Sequence, residues 1–234
     1  MEMRTLGNTG LKVSRLGLGL AEMGYQLGLD GEQRASRMLN VALDAGINFL
    51  DTAACYGDSE VLIGRSVASR RDAFILATKA GHATDGYEGS SWTAKTVTDS
   101  IERSLKRMKT DYLDLVQLHS CGLDVLKQGD VIRALLDAKQ AGKTRFVGYS
   151  GDNEAARWAV ESGHFDTLQT SYNLVDQRPR VEGLFPEAEA RGLGIIAKRP
   201  IANAVWGAPK ESSAPDPYRQ RAMKMQALGS IPDA

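Results

Sequence analysis

The segment DAGINFLDTAACYGDSEVLIG, residues 44–64, contains the unit from which the predicted fold is built. A helix predicted over residues 33–45 is followed by Gly46, the residue type that favours a left-handed C-cap. Residues 48–51 form a short apolar run typical of a strand, and a second helix is predicted over residues 59–68. The segment therefore predicts a helix, a strand and a helix, with polar side chains where the strand ends.

The same alternation continues along the chain. Further strands are predicted at residues 16–20, 74–79, 113–118, 145–149, 167–170 and 194–197. The other helices are predicted at residues 94–108, 130–141, 153–162 and 180–191. Strands and helices that alternate in this way imply right-handed crossovers and a parallel sheet covered by helices. The nearly continuous apolar runs FILAT and LGIIA fit such buried strands.

The predicted fold class is an α/β barrel of the TIM (β/α)8 type, preceded by a small β-hairpin over residues 4–14. Seven strands follow the hairpin, and no eighth strand is predicted. Residues 207–217 are a loop by composition, and residues 218–228 read as a helix. Residues 1–234 are thus predicted to form one barrel domain that is incomplete at its C-terminus. Its open sheet edge would allow self-association.

Charge and composition narrow the range of partners. The chain of 234 residues contains 29 Lys and Arg against 29 Asp and Glu, so no net charge favours nucleic acid or an anionic membrane. No stretch approaches the roughly 20 apolar residues that span a bilayer, and no export signal is predicted. Cys55 and Cys121 have neither disulfide-framework nor metal-ligand spacing and read as small core or pocket-wall residues. These observations predict a cytoplasmic protein without a metal that acts on small molecules.

Polar side chains recur where the predicted strands end. Asp51, Lys79 and His119 occupy such positions, and Tyr56 lies in the loop that follows Asp51. Because the carboxyl ends of parallel strands meet at one end of a barrel, these side chains are expected to share a pocket. Each one alone could be structural, as a helix cap, a solvated charge, a loop aromatic or a polar rim residue. Their joint placement favours a functional site.

Five segments carry a resemblance to a known family. They are RTLGNTGLKVSRLGLG (4–19), GINFLDTAACYGDSE (46–60), DYLDLVQLHS (111–120), RFVGYSG (145–151) and LQTSYNLVDQ (168–177). In this order, and together with TKAG at residues 78–81, they resemble the aldo-keto reductase superfamily over nearly the whole chain. The resemblance implies an NADP-dependent enzyme that reduces aldehydes or ketones to alcohols.

The same resemblance implies roles for the four polar residues. Tyr56 would be the general acid that protonates the carbonyl oxygen, and Lys79 would lower the pKa of its hydroxyl. Asp51 would pair with Lys79 and keep it charged. His119 would bind the carbonyl oxygen and orient it.

The cofactor implied by the resemblance is NADP(H). Ser150 and Gln169 would bind the nicotinamide carboxamide, Tyr172 would lie at the ring, and Arg199 would lie at the start of a pyrophosphate loop over residues 199–206. In the family, the eighth strand and the segment after it hold the adenosine 2′-phosphate; these have no counterpart here, so the sequence does not choose between NADPH and NADH. The loops contain no residue type that selects a particular substrate.

For several other residues, the sequence allows both a structural and a functional interpretation. His82 and His164 lack ligand spacing and read as structural or surface residues, although His82 could border the pocket. The run GLGLAE at residues 17–22 has Glu22 where a dinucleotide fingerprint needs its last glycine. Four residues could equally line the pocket or take part in ordinary loop packing: Glu22, Met23, Tyr25 and Trp92. Lys198 and Arg199 could contact phosphate or be solvated, with phosphate contact favoured for Arg199.

Two further function classes remain open from the sequence. A regulatory or partner-binding subunit could keep the same four residues and bind cofactor without catalysis. A Schiff-base lyase could use Lys79 as its nucleophile if burial lowered the pKa of that amine. The proximity expected for Asp51 argues against the lyase, because a nearby carboxylate favours the protonated lysine.

Overall fold

The computed structural model describes residues 1–84, 87–205 and 217–226. A two-stranded antiparallel hairpin, β1 and β2, precedes a seven-stranded parallel sheet whose strands follow one another in chain order. The strands are β1 (Met3–Thr5), β2 (Lys12–Ser14), β3 (Leu18–Gly19), β4 (Phe49–Asp51), β5 (Ile75–Ala80), β6 (Leu113–His119), β7 (Thr144–Ser150), β8 (Thr167–Ser171) and β9 (Gly194–Lys198). The prediction of a hairpin followed by seven parallel strands is confirmed.

Helices connect the strands along the chain. They are α1 (Glu32–Asp44), α2 (Ser59–Ser66), α3 (Ala94–Met108), α4 (Leu123–Gln128), α5 (Asp130–Gln140), α6 (Asn153–Ser162), α7 (Arg178–Val181), α8 (Leu184–Ala190) and α9 (Pro217–Gln226). The sequence did not predict α4, which is only six residues long. Predicting one helix over residues 180–191 was wrong, because Gly183 has a left-handed backbone with φ of 76° and separates α7 from α8. The first predicted strand, at residues 16–20, shortens to Leu18–Gly19.

Most of the core lies between the sheet and its helices. In β6, six of the seven residues are buried, and only the terminal His119 is partly exposed. Large core side chains come from both layers, for example Leu50 and Leu118 from the sheet and Leu39 and Ile101 from the helices. Burial on both faces explains why these strands read as continuous apolar runs rather than as alternating ones.

The hairpin covers the amino ends of the strands. Leu6 and Leu11 pack with Phe49 and Leu115 in a second apolar cluster. The backbone nitrogen of Asn8 also donates to the carbonyl of Gly192, just before β9, at 2.8 Å. With this end of the sheet occupied, the carboxyl ends of the strands are left to form a site.

The sheet is curled and open. Among the described residues, β3 bonds only to β4 and β9 bonds only to β8, so these two strands are its edges. The predicted helix over residues 218–228 is present as α9 up to Gln226, and the remainder lies outside the described residues. Within the described ranges, no helix has both the length and the apolar character needed to cross a membrane.

Candidate active site

Strand register brings the predicted site residues together at one end of the sheet. Lys79 lies opposite Gln117, one residue past the register position that Thr78 shares with Val116. His119 lies opposite Ser150, and Ser150 lies opposite Gln169. The chain order of the strands thus converts separate positions along the sequence into one row of neighbouring polar groups.

Lys79 and Asp51 form a buried ion pair at the base of this row. The Lys79 side chain is 2% exposed. Its Nζ donates to Asp51 Oδ1 at 2.9 Å, to Asp51 Oδ2 at 2.8 Å and to the carbonyl oxygen of Thr52 at 2.8 Å. An ammonium has three donors, so these contacts use all of them. The expected pairing of Asp51 with Lys79 is therefore present in the structure.

Two glutamine amides extend the network around Asp51. Gln169 Nε2 donates to Asp51 Oδ2 at 3.1 Å, while Ser150 Oγ donates to Gln169 Oε1 at 2.7 Å. Gln117 Nε2 lies 3.5 Å from Asp51 Oδ1, and its own Oε1 is buried without a hydrogen-bond partner. Both residues were expected at the cofactor; Gln169 bonds directly to the ion pair, and Ser150 is connected to it through Gln169. Sequence reasoning missed Gln117, although it is the inward-facing residue two positions before His119.

Tyr56 lies beside the ion pair without bonding to it. The Lys79 Nζ is 5.0 Å from the centre of the Tyr56 ring, and its hydrogen bonds go to Asp51 and Thr52 instead. Burial raises the pKa of the Tyr56 hydroxyl, and the negative charge of Asp51 raises it further. The resemblance predicts that Lys79 lowers this pKa, whereas burial and Asp51 leave it raised here, and the ammonium makes its hydrogen bonds to Asp51 and Thr52 rather than to the Tyr56 hydroxyl.

The loop that follows β3 fixes the backbone at Tyr56. It contains a π-helical turn, Met23–Leu27, in which Gly24 lies against the Tyr56 carbonyl group. A Cβ atom at Gly24 would be 1.9 Å from the Tyr56 carbonyl oxygen, so only glycine allows this approach. Two loops that are far apart in sequence therefore position Tyr56 together.

His119 is enclosed by rings and by one thiol. Its Nδ1 is 3.3 Å from Cys55 Sγ, and its ring meets the Tyr56 ring edge-on with centroids 5.6 Å apart. Burial lowers the pKa of His119 to about 2, and the positive charge of Lys79 acts in the same direction. The imidazole is therefore neutral near neutral pH, with one nitrogen as donor and the other as acceptor.

His82 and Trp92 form one wall of the site. The His82 ring meets His119 edge-on at 4.7 Å and tilts against Trp92 at 4.9 Å between centroids. Trp92 Nε1 donates to the carbonyl oxygen of His119 at 3.1 Å. The interpretation of His82 as a structural or surface residue was incomplete, because its ring lies against that of His119 in the wall of the site. The signal for it was its place two residues beyond the end of β5.

The remaining loop residues include one that lines the pocket and two that make ordinary packing or loop contacts. The Tyr25 ring lies 5.9 Å from that of Tyr56, and its hydroxyl donates to the Cys55 carbonyl at 3.0 Å, so Tyr25 lines the site. Met23 is instead buried in the main core. Glu22 accepts a hydrogen bond from Gln26 within its own loop.

Basic residues end the last strand on the opposite side of the site. Burial lowers the pKa of Lys198 to about 8, although Asp152 Oδ2 lies 3.6 Å from its Nζ and acts in the other direction. Arg199 is 46% exposed on its side chain and donates to Ser171 Oγ at 3.1 Å.

The Tyr172 ring, expected at the nicotinamide, meets the Phe185 ring edge-on at 5.0 Å. The predicted pyrophosphate loop is described only as far as residue 205.

The site contains no group of acidic, histidine and cysteine side chains suited to a metal ion, as far as residues 1–84, 87–205 and 217–226 extend. The rings of the neighbouring residues His82 and His119 meet edge to face, with their centroids 4.7 Å apart. The groups available for a reaction are therefore a buried ion pair, a protonated tyrosine and a neutral histidine.

Comparison with known proteins identifies the family of this chain. The model of the Aldo/keto reductase family matches residues 15–228. L-galactose dehydrogenase of Arabidopsis thaliana is 33% identical over 213 residues, which cover 86% of this chain and 66% of that protein. L-glyceraldehyde 3-phosphate reductase of Escherichia coli (strain K12) is 33% identical over 221 residues, covering 88% of this chain and 63% of that protein.

A solved structure shows the same relationship in three dimensions. The aldo-keto reductase AKR11C1 from Bacillus halodurans, in its holo form, superposes with a TM-score of 0.78 at 28% identity. The match covers 98% of this chain and 78% of that chain. The chain spans about two thirds of the length of the curated relatives named above. By its sequence match and by its fold, this chain belongs to the aldo/keto reductase family.

Proposed function

We propose that this chain is an oxidoreductase that reduces aldehydes or ketones to alcohols with NADPH, with Tyr56 as the general acid. The observation that carries the proposal is the meeting of Tyr56, His119 and the Lys79–Asp51 pair at the carboxyl ends of neighbouring strands. Membership of the aldo/keto reductase family supports the reaction class. The substrate is a small carbonyl compound, and residues 1–234 act as a single barrel domain in the cytoplasm.

Tyr56 is suited to giving up a proton late in the reaction. Its raised pKa keeps the hydroxyl protonated near neutral pH. A carbonyl oxygen that gains negative charge becomes far more basic than a phenolate, so the proton moves to it. The Lys79 ammonium, 5.0 Å from the Tyr56 ring centre, stabilises the phenolate that is left behind. Proton transfer from a positioned acid is typically worth about 10²- to 10⁴-fold in rate.

His119 orients the carbonyl group. Because the imidazole is neutral, it can donate one N–H to a carbonyl oxygen without placing a competing positive charge beside Lys79. Tyr56 and His119 lie with ring centroids 5.6 Å apart, so one oxygen atom could receive a hydrogen bond from each of them. Two donors on the same oxygen stabilise the negative charge that develops there.

The residues on the far side fit a nicotinamide cofactor. A primary carboxamide needs both a donor and an acceptor, and Ser150 and Gln169 provide both kinds of group at adjacent strand ends. Tyr172 provides an aromatic face, and Lys198 and Arg199 provide positive charge for phosphate groups. The reduced nicotinamide, when bound, supplies the hydride.

The contacts of Lys79 disfavour a Schiff-base lyase. A nucleophilic lysine needs a free lone pair, whereas all three donors of this ammonium are engaged and the side chain is 2% exposed. Borohydride trapping with carbonyl substrates is therefore expected to leave the mass of the chain unchanged.

Turnover by the Tyr56→Phe variant tests the proposal. The purified chain is mixed with NADPH and a panel of reactive aldehydes, and NADPH oxidation is followed by absorbance. Removal of the acid should reduce turnover by at least about 10²-fold and leave NADPH binding intact. Tyr112→Phe is the matched control, because Tyr112 packs under Arg71, away from the site.

Two results would contradict the assignment. Undiminished turnover in Tyr56→Phe would show that another group donates the proton. Tight cofactor binding by the unmodified chain without turnover of any aldehyde would favour a regulatory subunit instead.

A further inference from the structure

Cys55 and His119 form a pair that the proposed mechanism does not yet use. Cys55 precedes Tyr56 in the loop between β4 and α2, and its Sγ lies 3.3 Å from His119 Nδ1. The loop holds this thiol in place, because the Cys55 carbonyl accepts a hydrogen bond from Tyr25 and the Ala54 nitrogen bonds to the Lys79 carbonyl. The contact therefore joins the residue beside the general acid to the residue that orients the substrate.

The remaining neighbours of the imidazole are rings and positive charges. Tyr56 and His82 meet it edge-on, and Lys79, Lys198 and Arg199 contribute positive charge around it. Among the described side chains, the Cys55 thiol is the one that hydrogen-bonds a ring nitrogen of His119. A neutral imidazole has two tautomers, and the group that binds one nitrogen decides the state of the other.

We propose that Cys55 is a positioning residue that sets the tautomer of His119. The Cys55 S–H donates to Nδ1, so the ring proton resides on Nε2 and Nε2–H is presented to the carbonyl oxygen of the substrate. This inference rests on the proposed function, in which His119 orients that oxygen.

The direction of the hydrogen bond follows from the two groups. A thiol sulfur is a weak acceptor, whereas the bare nitrogen of an imidazole is a good one, so S–H to nitrogen is the better arrangement. Burial raises the pKa of the Cys55 thiol and outweighs the opposite effect of Lys79, which keeps the S–H proton available. With the opposite tautomer, a lone pair on Nε2 would face the carbonyl oxygen and repel it.

Nitrogen-15 NMR of the chain labelled at histidine tests the tautomer directly. His119→Gln identifies the His119 signals among those of His82 and His164. In the unmodified chain, Nδ1 should have the shift of an unprotonated ring nitrogen and Nε2 that of a protonated one. A protonated Nδ1 would overturn the proposal.

Three cysteine variants separate the thiol's role from packing. Cys55→Val keeps the size but removes the donor, so both His119 nitrogens should move to averaged shifts and kcat should fall by about 5- to 10-fold, the cost of about one hydrogen bond. Cys55→Ser keeps a donor and should restore both the shifts and most of kcat. Cys121→Ala changes the other free cysteine, which is buried in the main core, and should leave the shifts unchanged.

The two readouts can fail independently. Unchanged His119 shifts in a folded Cys55→Val variant would overturn the tautomer proposal whatever the turnover. Full turnover in Tyr56→Phe would overturn the proposed function while leaving the NMR result valid, because the tautomer is measured without substrate or cofactor.

Discussion

The ammonium of Lys79 is held by both carboxylate oxygens of Asp51, at 2.9 and 2.8 Å, at a site where the lysine side chain is 2% exposed. Removal of one partner from a buried ion pair leaves an uncompensated charge, which costs about 3 kcal/mol or more. Asp51→Asn should therefore lower the free energy of unfolding by about that amount, as measured in urea. The double variant Asp51→Asn with Lys79→Met should be more stable than Asp51→Asn alone.

An exposed ion pair provides the control. Lys95 and Asp99 bond across one helical turn with side chains 62% and 38% exposed, and such pairs contribute at most about 0.5 kcal/mol. Asp99→Asn should thus be nearly neutral. Equal losses in Asp51→Asn and Asp99→Asn would mean that the Lys79 charge is not buried in solution.

His119 makes the fold sensitive to acid. Its pKa is about 6.5 in the unfolded chain and is lowered to about 2 in the fold, so the unfolded state binds more protons between these values. Stability from this residue is fully present above the unfolded pKa and is lost as pH falls toward the folded one. Between about pH 7 and about pH 5 the loss should be about 2 kcal/mol.

His119→Gln removes this contribution. The variant should lose about 2 kcal/mol less than the unmodified chain over the same pH interval, by urea unfolding at each pH. The lowered pKa of His82 acts in the same direction and stays in both proteins, so it cancels in the comparison. Parallel pH dependences in the two proteins would show that folding does not lower the pKa of His119.

The rate of reduction should depend little on pH near neutrality. The raised pKa of Tyr56 keeps the acid protonated, and the low pKa of His119 keeps the imidazole neutral. We therefore expect a kcat that stays flat from about pH 6 to about pH 9 at saturating NADPH and aldehyde. A fall in kcat with a midpoint near pH 7 would contradict the burial of Tyr56.

The sequence predicted those site residues whose positions are set by the strands, and it missed those whose roles depend on individual side-chain contacts. Asp51, Lys79 and His119 could be placed because each lies at or next to the carboxyl end of a buried parallel strand, and register then brings such residues together. Cys55 and Gln117 could not be singled out, since a small loop residue and an inward strand residue are usually packing groups. Their roles depend on distances of 3.3 and 3.5 Å that no sequence spacing encodes.

The pKa of Tyr56 shows a different limit. Proximity to Lys79 was expected to lower it, but the direction depends on where the ammonium's hydrogen bonds go, and they go to Asp51 and Thr52. Likewise, Gly183 could not be recognised as a helix break before its left-handed backbone was seen. The order of the strands can be predicted from the alternation of strands and helices in the sequence. Which acceptors bind the Lys79 ammonium can be known only from the three-dimensional structure.

Gly24 should be required for activity rather than for folding alone. A Cβ atom there would lie 1.9 Å from the Tyr56 carbonyl oxygen, so Gly24→Ala must displace the backbone that holds the acid. A misplacement of about 1 Å can cost about 10²-fold in rate, and kcat should fall accordingly. Gly122→Ala, where a Cβ would meet no atom within 4 Å, is the control and should keep kcat. Normal kcat in Gly24→Ala would mean that the two loops do not touch.

The contact of the hairpin with the last strand should contribute to stability. Gly7 has a φ of 51°, and a Cβ atom there would lie 2.3 Å from the Gly194 backbone nitrogen. Gly10 has a φ of 74°, but a Cβ atom there would meet nothing within 4 Å. Alanine at either position has the cost of a left-handed backbone, about 1 kcal/mol, and only Gly7→Ala adds the clash. Gly7→Ala should therefore unfold at lower urea concentration than Gly10→Ala, because the clash lifts the hairpin from β9. Equal midpoints would mean that the hairpin does not hold this edge of the sheet.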